Sequence, residues 1–391
     1  MELKKTEDFQ SLPVYKPEPL QDLYTRPYAN DESNSRAPVE ISEKLWEIKW
    51  QIAVDPFFPA KFILTAKDNF IIQASGRWYL LNSKGELTGK DFIGNSDIVF
   101  DSERGLFYYA DRFGQIAAVN LSSGEKLYSM QVHGLEDVER KYFFRIDNNL
   151  LLAEKSENKN PHDPSPLSFI YLEAYTIDDP PIVENGNLTS YKELYHTYYY
   201  TNQVAAASDQ KHFVYSVENK VIIAGPDLKT ESEFEDQFKP VTLSLDESGR
   251  IYMTVINSEN KLALRVITPG GDLIVDLDIP VENQLNSIPP VIGYNHEIFI
   301  VFDNLVFCFA EDGKLKWQTY TDGKTGGAVI DSDNKLLLSE GSTISQFDER
   351  GERQFIFQFP GEHIVTSPVI TKEKNIIVAT ESNIYLLIPH K

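Results

Sequence analysis

The chain has 391 residues, 41% hydrophobic and 12% aromatic, with 21 glycines and 21 prolines, so it can bury a large core and favours strands and turns over long helices. Its 59 acidic residues outnumber 37 basic ones for a net charge of −22, which repels nucleic acid and anionic lipid and argues against both as partners. A lone cysteine, Cys308, rules out an intrachain disulfide and a Cys-based zinc cluster, and its apolar setting "IFIVFDNLVFCFA" predicts a buried, inert thiol.

Residues 1–41 hold five prolines, eight acidic and five basic residues, with spaced aromatics at Phe9, Tyr15, Tyr24 and Tyr28. Such a segment cannot build a core of its own. Three readings stay open for this arm: a disordered tail, an extended run along the rim of the folded domain, or insertion into a partner. It contains no apolar stretch of signal-peptide type, and no window of about 18 residues along the chain is continuously apolar. A cytoplasmic protein without membrane insertion is therefore expected, with export by another machine left open.

Residues 45–52 read as a strand, with Leu45 at its start and Trp46, Ile48 and Trp50 on one face. Eight hairpins follow. Each joins an apolar strand to a denser one through a turn rich in Asp, Asn or Gly. They are "FILTAKDNFIIQA" (62–74), "IVFDSERGLFYYA" (98–110), "FFRIDNNLLLAE" (143–154), "VAAASDQKHFVYSV" (204–217), "VTLSLDESGRIYMTV" (241–255), "PVIGYNHEIFIVF" (290–302), "AVIDSDNKLLLSE" (328–340) and "PVITKEKNIIVAT" (368–380). Most are followed by a second hairpin with a glycine turn, as in "WYLLNSKGELTGK" (78–90) and "LVFCFAEDGKLKWQTY" (305–320). Adjacent clean units place their glycines at 85 and 124 and at 313 and 351, spacings of 39 and 38 residues.

A four-stranded module of about 40–45 residues is the period of a propeller blade. The expected fold is an all-β, eight-bladed β-propeller of four-stranded antiparallel blades spanning 42–391. After "SNIYLLIPHK" the last unit lacks a fourth strand, and residues 45–52 supply it, closing the ring and shielding an edge. The alternative is a seven-bladed ring preceded by a short helix at 45–52.

The third unit breaks the period with an insertion at 154–203. Its "SFIYLEAYTI" (168–177) reads as an outer strand. The rest holds "NPHDPSP" (160–166) and "YHTYYYT" (195–201), with five tyrosines between 191 and 200. Tyrosine clusters suit interfaces, so His162, Tyr191, Tyr195, His196, Tyr198, Tyr199 and Tyr200 join the aromatics of the arm as interaction candidates. The competing reading is a strand whose alternate tyrosines face a neighbouring blade. A metal on His162, Asp163 and His196 has no supporting spacing, and no nucleophile elbow occurs. Residues 226–240, "PDLKTESEFEDQFKP", read as an outer strand and loop of the fourth unit.

The turn-and-strand pattern "DGKLKWQ" or "SGEKLYS", followed by openers "SIPPVI" (287–292), "TGGAVI" (325–330) and "TSPVIT" (366–371), resembles the pyrroloquinoline-quinone-type propeller repeat. That family includes quinoprotein alcohol dehydrogenases, a lipoprotein scaffold of the outer-membrane β-barrel assembly machine, and sensor domains fused to kinases. Trp317 matches the family's docking tryptophan, with Tyr128 and Phe355 near that place elsewhere. The enzymes' adjacent-cysteine disulfide is impossible here, and neither their metal-and-base motif nor the scaffold's lipobox cysteine is found. The resemblance therefore implies the non-enzymatic branch: no cofactor, no metal, no catalytic residues, and a monomeric propeller binding protein partners within a complex. The rival is a central channel serving a small ligand, hydrolysis or oxidoreduction.

Overall fold

The computed structural model describes residues 46–54, 60–66, 69–74, 77–88, 92–93, 98–101, 104–110, 115–131, 139–146, 149–157, 168–177, 181–200, 204–208, 211–235, 238–246, 248–257, 259, 261–281, 288–302, 304–371 and 373–390. Among them there is no helix, so none is long and apolar enough to cross a membrane. Their strands form eight sheets.

In chain order the first sheet is Ala60–Ala66, Asn69–Ala74, Arg77–Asn82 and Phe92–Ile93. The second is Ile98–Asp101, Leu106–Ala110, Gln115–Asn120 and Lys126–Gln131. The third is Glu139–Ile146, Asn149–Glu157, Ser168–Ile177 and Tyr191–Tyr200. The fourth is Val204–Ser208, Phe213–Val217, Lys220–Ala224 and Thr230–Glu235. The fifth is Lys239–Leu245, Ile251–Ile256, Leu262–Ile267 and Leu273–Asp278. The sixth is Val291–Ile292, Ile298–Val301, Leu305–Phe309 and Leu315–Tyr320, and the seventh is Thr325–Ile330, Leu336–Glu340, Thr343–Phe347 and Arg353–Gln358. The eighth takes Val369–Ile370, Ile376–Ala379 and Asn383–Pro389 from one end of the chain and Trp46–Ala53 from the other. All eight expected hairpins are present, and the segment starting at Trp46 is a strand, not a helix. Two compact units result. One holds the first, sixth, seventh and eighth sheets, and the other the second to fifth.

Trp46–Ala53 runs antiparallel to Asn383–Pro389, with Trp46 opposite Pro389 and Ala53 opposite Asn383. The register shifts between Ile48 and Trp50, leaving Lys49 as an extra residue. One extra residue reverses the faces that follow it. The single face expected for Trp46, Ile48 and Trp50 is therefore split: Ile48 is 37% exposed, whereas Trp50, Ile52 and Val54 enter the core with Phe70, Ile377 and Tyr385. Leu45 lies outside the described residues.

The hairpin turns are built on buried acids. Asp101 ends the first strand of its sheet, Asp246 and Asp331 directly follow the first strands of theirs, and all three are fully buried. Each carboxylate accepts hydrogen bonds from turn amides: Arg104 N to Asp101 at 3.1 Å, Ser248 N and Arg250 N to Asp246 at 2.9 and 3.0 Å, and Asp333 N and Lys335 N to Asp331 at 3.0 and 2.9 Å. These bonds satisfy donors that the tight turn leaves without a ladder partner. Asp246 also accepts from the Tyr252 hydroxyl at 2.9 Å and from Arg250 Nε at 2.9 Å.

Trp317, the residue matched to a docking tryptophan, packs between two sheets. Trp317, on the fourth strand of the sixth sheet, packs against Phe299 (5.9 Å between centroids) and stacks on Phe347 of the seventh sheet (6.2 Å). It also lies over Gly351, where an added Cβ would stand 2.7 Å from Trp317 Cδ2 and φ is +77°. Both sterics and backbone demand glycine there. The openers interlock similarly: at Gly327 (φ +148°) a Cβ would fall 1.8 Å from the Ser367 hydroxyl of "TSPVIT". Elsewhere the docking place has changed use. Tyr128 is buried with its hydroxyl 3.2 Å from that of Tyr108, and Phe355 is 62% exposed.

Two predictions follow from this geometry. Trp317→Ala removes a stacked aromatic and should cost about 3–5 kcal/mol, and Gly351→Ala should cost at least about 1 kcal/mol from its left-handed backbone alone. Both would appear as lowered Tm in thermal melts followed by near-ultraviolet circular dichroism. For Asp246, burial pushes the carboxyl up, but bonds from Ser248, Tyr252 and Arg250 outweigh it and hold the pKa below the usual range. A depressed folded pKa contributes stability above the unfolded value, about 3.9, and loses it as pH falls through the folded one. The Tm gap between wild type and Asp246→Asn should therefore be widest near neutrality and narrow below about pH 4.

Candidate functional site

The insertion of the third sheet is where the repeat acquires new surface. Its outer strand "SFIYLEAYTI" is present as Ser168–Ile177, and the tyrosine run is the strand Tyr191–Tyr200 on its outer side. Of the two readings of that run, its backbone is thus a strand of the sheet. At ten residues it is longer than the six-residue outer strands of the second, fourth, fifth, sixth and seventh sheets. Tyr200 stands opposite Phe169, Tyr199 opposite Ile170, Tyr198 opposite Tyr171, His196 opposite Glu173 and Tyr195 opposite Ala174.

Between these strands the chain makes a hairpin that sequence reasoning did not identify. Val183–Glu184 pairs with Asn187–Leu188 around Asn185 and Gly186, whose φ values are +50° and +79°. Two consecutive positive φ angles mark the primed turn that Asn-Gly favours, and "ENGN" was the available signal. The hairpin joins the edge of the second sheet, with Asn187 aligned parallel to Ser129 and Ser129 N donating to Gly186 O at 3.0 Å.

Several contacts hold the hairpin there. Leu188 is buried among Val99, Tyr108, Tyr128 and Met130. Ile182 N donates to the Ser190 hydroxyl at 2.6 Å, and Thr189 N donates to Ile182 O at 2.9 Å. The Tyr191 hydroxyl donates to Gln131 O at 3.2 Å, while its ring meets Tyr175 edge-on at 6.1 Å. Against this fixed base, Ile182 and Val183 are 58% and 39% exposed. A β-branched pair is thus turned to solvent on a hairpin held by main-chain bonds and the buried Leu188.

Of the predicted interaction residues, the structure gathers Tyr191, Tyr195, His196, Tyr198, Tyr199 and Tyr200 onto one strand and anchors Tyr191. Phe9, Tyr15, Tyr24, Tyr28 and His162 lie outside the described residues. Among the described residues no three His, Cys, Asp or Glu side chains are grouped to hold a metal ion. A cavity of about 240 Å³ in the second unit has apolar walls at Val214, Ile223, Leu245 and Pro269, with His212 Nε2 3.6 Å from Glu231 Oε2.

Three solved structures of similar backbone show what these sheets make together. BamB from Moraxella catarrhalis matches at TM-score 0.61 with 9% identity, covering 88% of this chain and 99% of that one. Sqt1 from Saccharomyces cerevisiae matches at TM-score 0.59 with 13% identity, covering 83% and 93%. The fold is a β-propeller. A computationally designed protein, Ika8, matches at TM-score 0.55 with 11% identity, covering 94% of this chain and 99% of its own. At these identities the likeness is one of fold alone. No protein-family model and no curated protein matches the sequence.

Cys308 belongs to the propeller's core and not to its chemistry. It is 1% exposed, and burial pushes its pKa up to about 12, with the Glu297 carboxylate acting in the same direction. Because thiolate is the reactive form, a thiol reagent should leave the native protein unmodified at neutral pH. One equivalent should react on unfolding in denaturant, as read by mass spectrometry.

Proposed function

We propose that this protein is a non-catalytic propeller scaffold that binds a protein partner through the insertion of its third sheet. In this reading the eight sheets are eight blades, closed into a ring by the pairing of Trp46–Ala53 with Asn383–Pro389. The single observation that carries the proposal is the 181–190 segment. It is fixed to the second sheet by main-chain bonds and the buried Leu188, yet leaves Ile182 and Val183 exposed beside a ten-residue tyrosine-rich edge strand. A surface whose own residues are already ordered loses little entropy on binding, and Tyr supplies contact area at low conformational cost. An open strand edge offers main-chain donors and acceptors to an extended partner segment. The net charge of −22 disfavours nucleic acid and anionic membranes as that partner.

The test is affinity purification of the full-length protein from its native cells beside two double variants. Ile182→Asp with Val183→Asp should lose a stoichiometric partner, with binding weakened by about 2 kcal/mol or more. Leu273→Asp with Ile274→Asp, altering a comparably exposed pair on the fifth sheet, should retain it. A partner retained equally by both variants would remove the insertion from the interface. No partner at all would move the weight to small ligands.

A further inference from the structure

At the junction of the sixth and seventh sheets, an aromatic on the fourth strand of one sheet docks over a glycine in the next. Register places Trp46 at the position of that glycine between the seventh and eighth. In the seventh sheet Arg353 pairs with Phe347, and Gly351 precedes it by two residues. In the eighth sheet Ile48 pairs with Leu387, and Trp46 precedes it by two. Trp46 therefore stands at the place that Gly351 takes in the seventh sheet, but the strand facing it is set differently: Trp317 lies opposite Cys308 beyond a bulge at Lys316, whereas Phe355 lies opposite Ser345 ahead of a bulge at Ile356. Trp46 and Ile356 are each 7% exposed, and Phe355 is 62% exposed with the Arg353 guanidinium 4.3 Å from its centroid. Between them lies a groove of about 450 Å³ lined by Trp46, Phe355, Ile356, Phe357 and Gln358, none of them charged.

The covalent chain says what is nearest to this groove. In the seventh sheet the residues before the fourth strand are the turn "DERG", whereas in the eighth they are the last residues of the N-terminal arm. That stretch reads Pro38, Val39, Glu40, Ile41, Ser42, with apolar and polar residues alternating at strand spacing. Val39 and Ile41 precede Trp46 by seven and five residues. Extended chain covers roughly 3.3 Å per residue, so that stretch spans about 17–23 Å, the length of a six-residue strand such as Arg353–Gln358. Attachment at Trp46 raises the effective concentration of this segment at the groove over that of any free partner.

We infer that the groove beside Trp46 is a dock for the chain's own residues 38–42, with Val39 and Ile41 covering Phe355 and Phe357. The arm is then a built-in occupant of the seventh sheet's outer strand, shielding an edge and an exposed aromatic that would invite association.

Hydrogen exchange of the full-length protein tests this. Amides of 353–358 should be protected in the wild type and exchange on the order of tenfold faster in Val39→Asp with Ile41→Asp. Amides of Leu336–Glu340 should be unchanged and report that the fold is intact. The reciprocal variant, Phe355→Asp, should accelerate tryptic cleavage after Arg36 and Lys44. Equal exchange at 353–358 in both proteins, or equal cleavage with and without Phe355, overturns the inference. Protection that rises with protein concentration also overturns it and assigns the groove to a second copy.

Discussion

The structure turns on one antiparallel pairing, that of Trp46–Ala53 with Asn383–Pro389. A four-stranded sheet cannot bury its faces alone and must stack on neighbours, so each module is stable only in company. The eighth sheet has the further difficulty that its strands come from both ends of the chain. Without residues 46–53 it would be three strands with an open edge, and Trp50, Ile52 and Val54 would leave the core they share with Phe70, Ile377 and Tyr385. The bulge at Lys49 is the local adjustment that turns Trp50 inward.

Charge in this protein is less uniform in meaning than its net value suggests. Part of the acidity is structural: Asp101, Asp246 and Asp331 are buried and act as acceptors for turn amides. Glu340 is a different case. It is fully buried with the Arg353 guanidinium 2.6 Å away and the Asp322 amide donating at 2.9 Å, yet desolvation still raises its pKa. Such a group opposes folding at neutral pH relative to its protonated form, whereas Asp246 supports it. The two carboxylates thus pull the pH dependence of stability in opposite directions, and burial alone does not predict which way.

New surface appears where the repeat is interrupted. The regular sheets spend their residues on turns and stacking, as Trp317 over Gly351 shows. The insertion of the third sheet adds a lengthened edge strand and a hairpin laid on the second sheet, and the strand order of the eighth sheet leaves a groove at Trp46. In this β-propeller the departures from the period supply the new surface, while the period holds it in place.

The sequence by itself determined the elements. Alternating apolar runs, Asp and Gly turns and a spacing of 38–39 residues made the eight hairpins, the four-stranded module and the strand at the N-terminal end legible, because those signals are local and periodic. The strand Ser168–Ile177 was legible for the same reason. Tertiary structure decided the rest. The bulge that separates Ile48 from Trp50 arises from pairing with a strand more than 330 residues away, which no local pattern encodes. The place of the "ENGN" hairpin on the second sheet depends on a partner edge at Ser129 and a core around Tyr108. Whether an outer-strand aromatic packs on the next sheet, as Trp317 does, or is exposed, as Phe355 is, depends on where the bulge of its strand falls: before Trp317 in one case and after Phe355 in the other. Strand formation answers to a residue's neighbours in sequence, and burial answers to its neighbours in space.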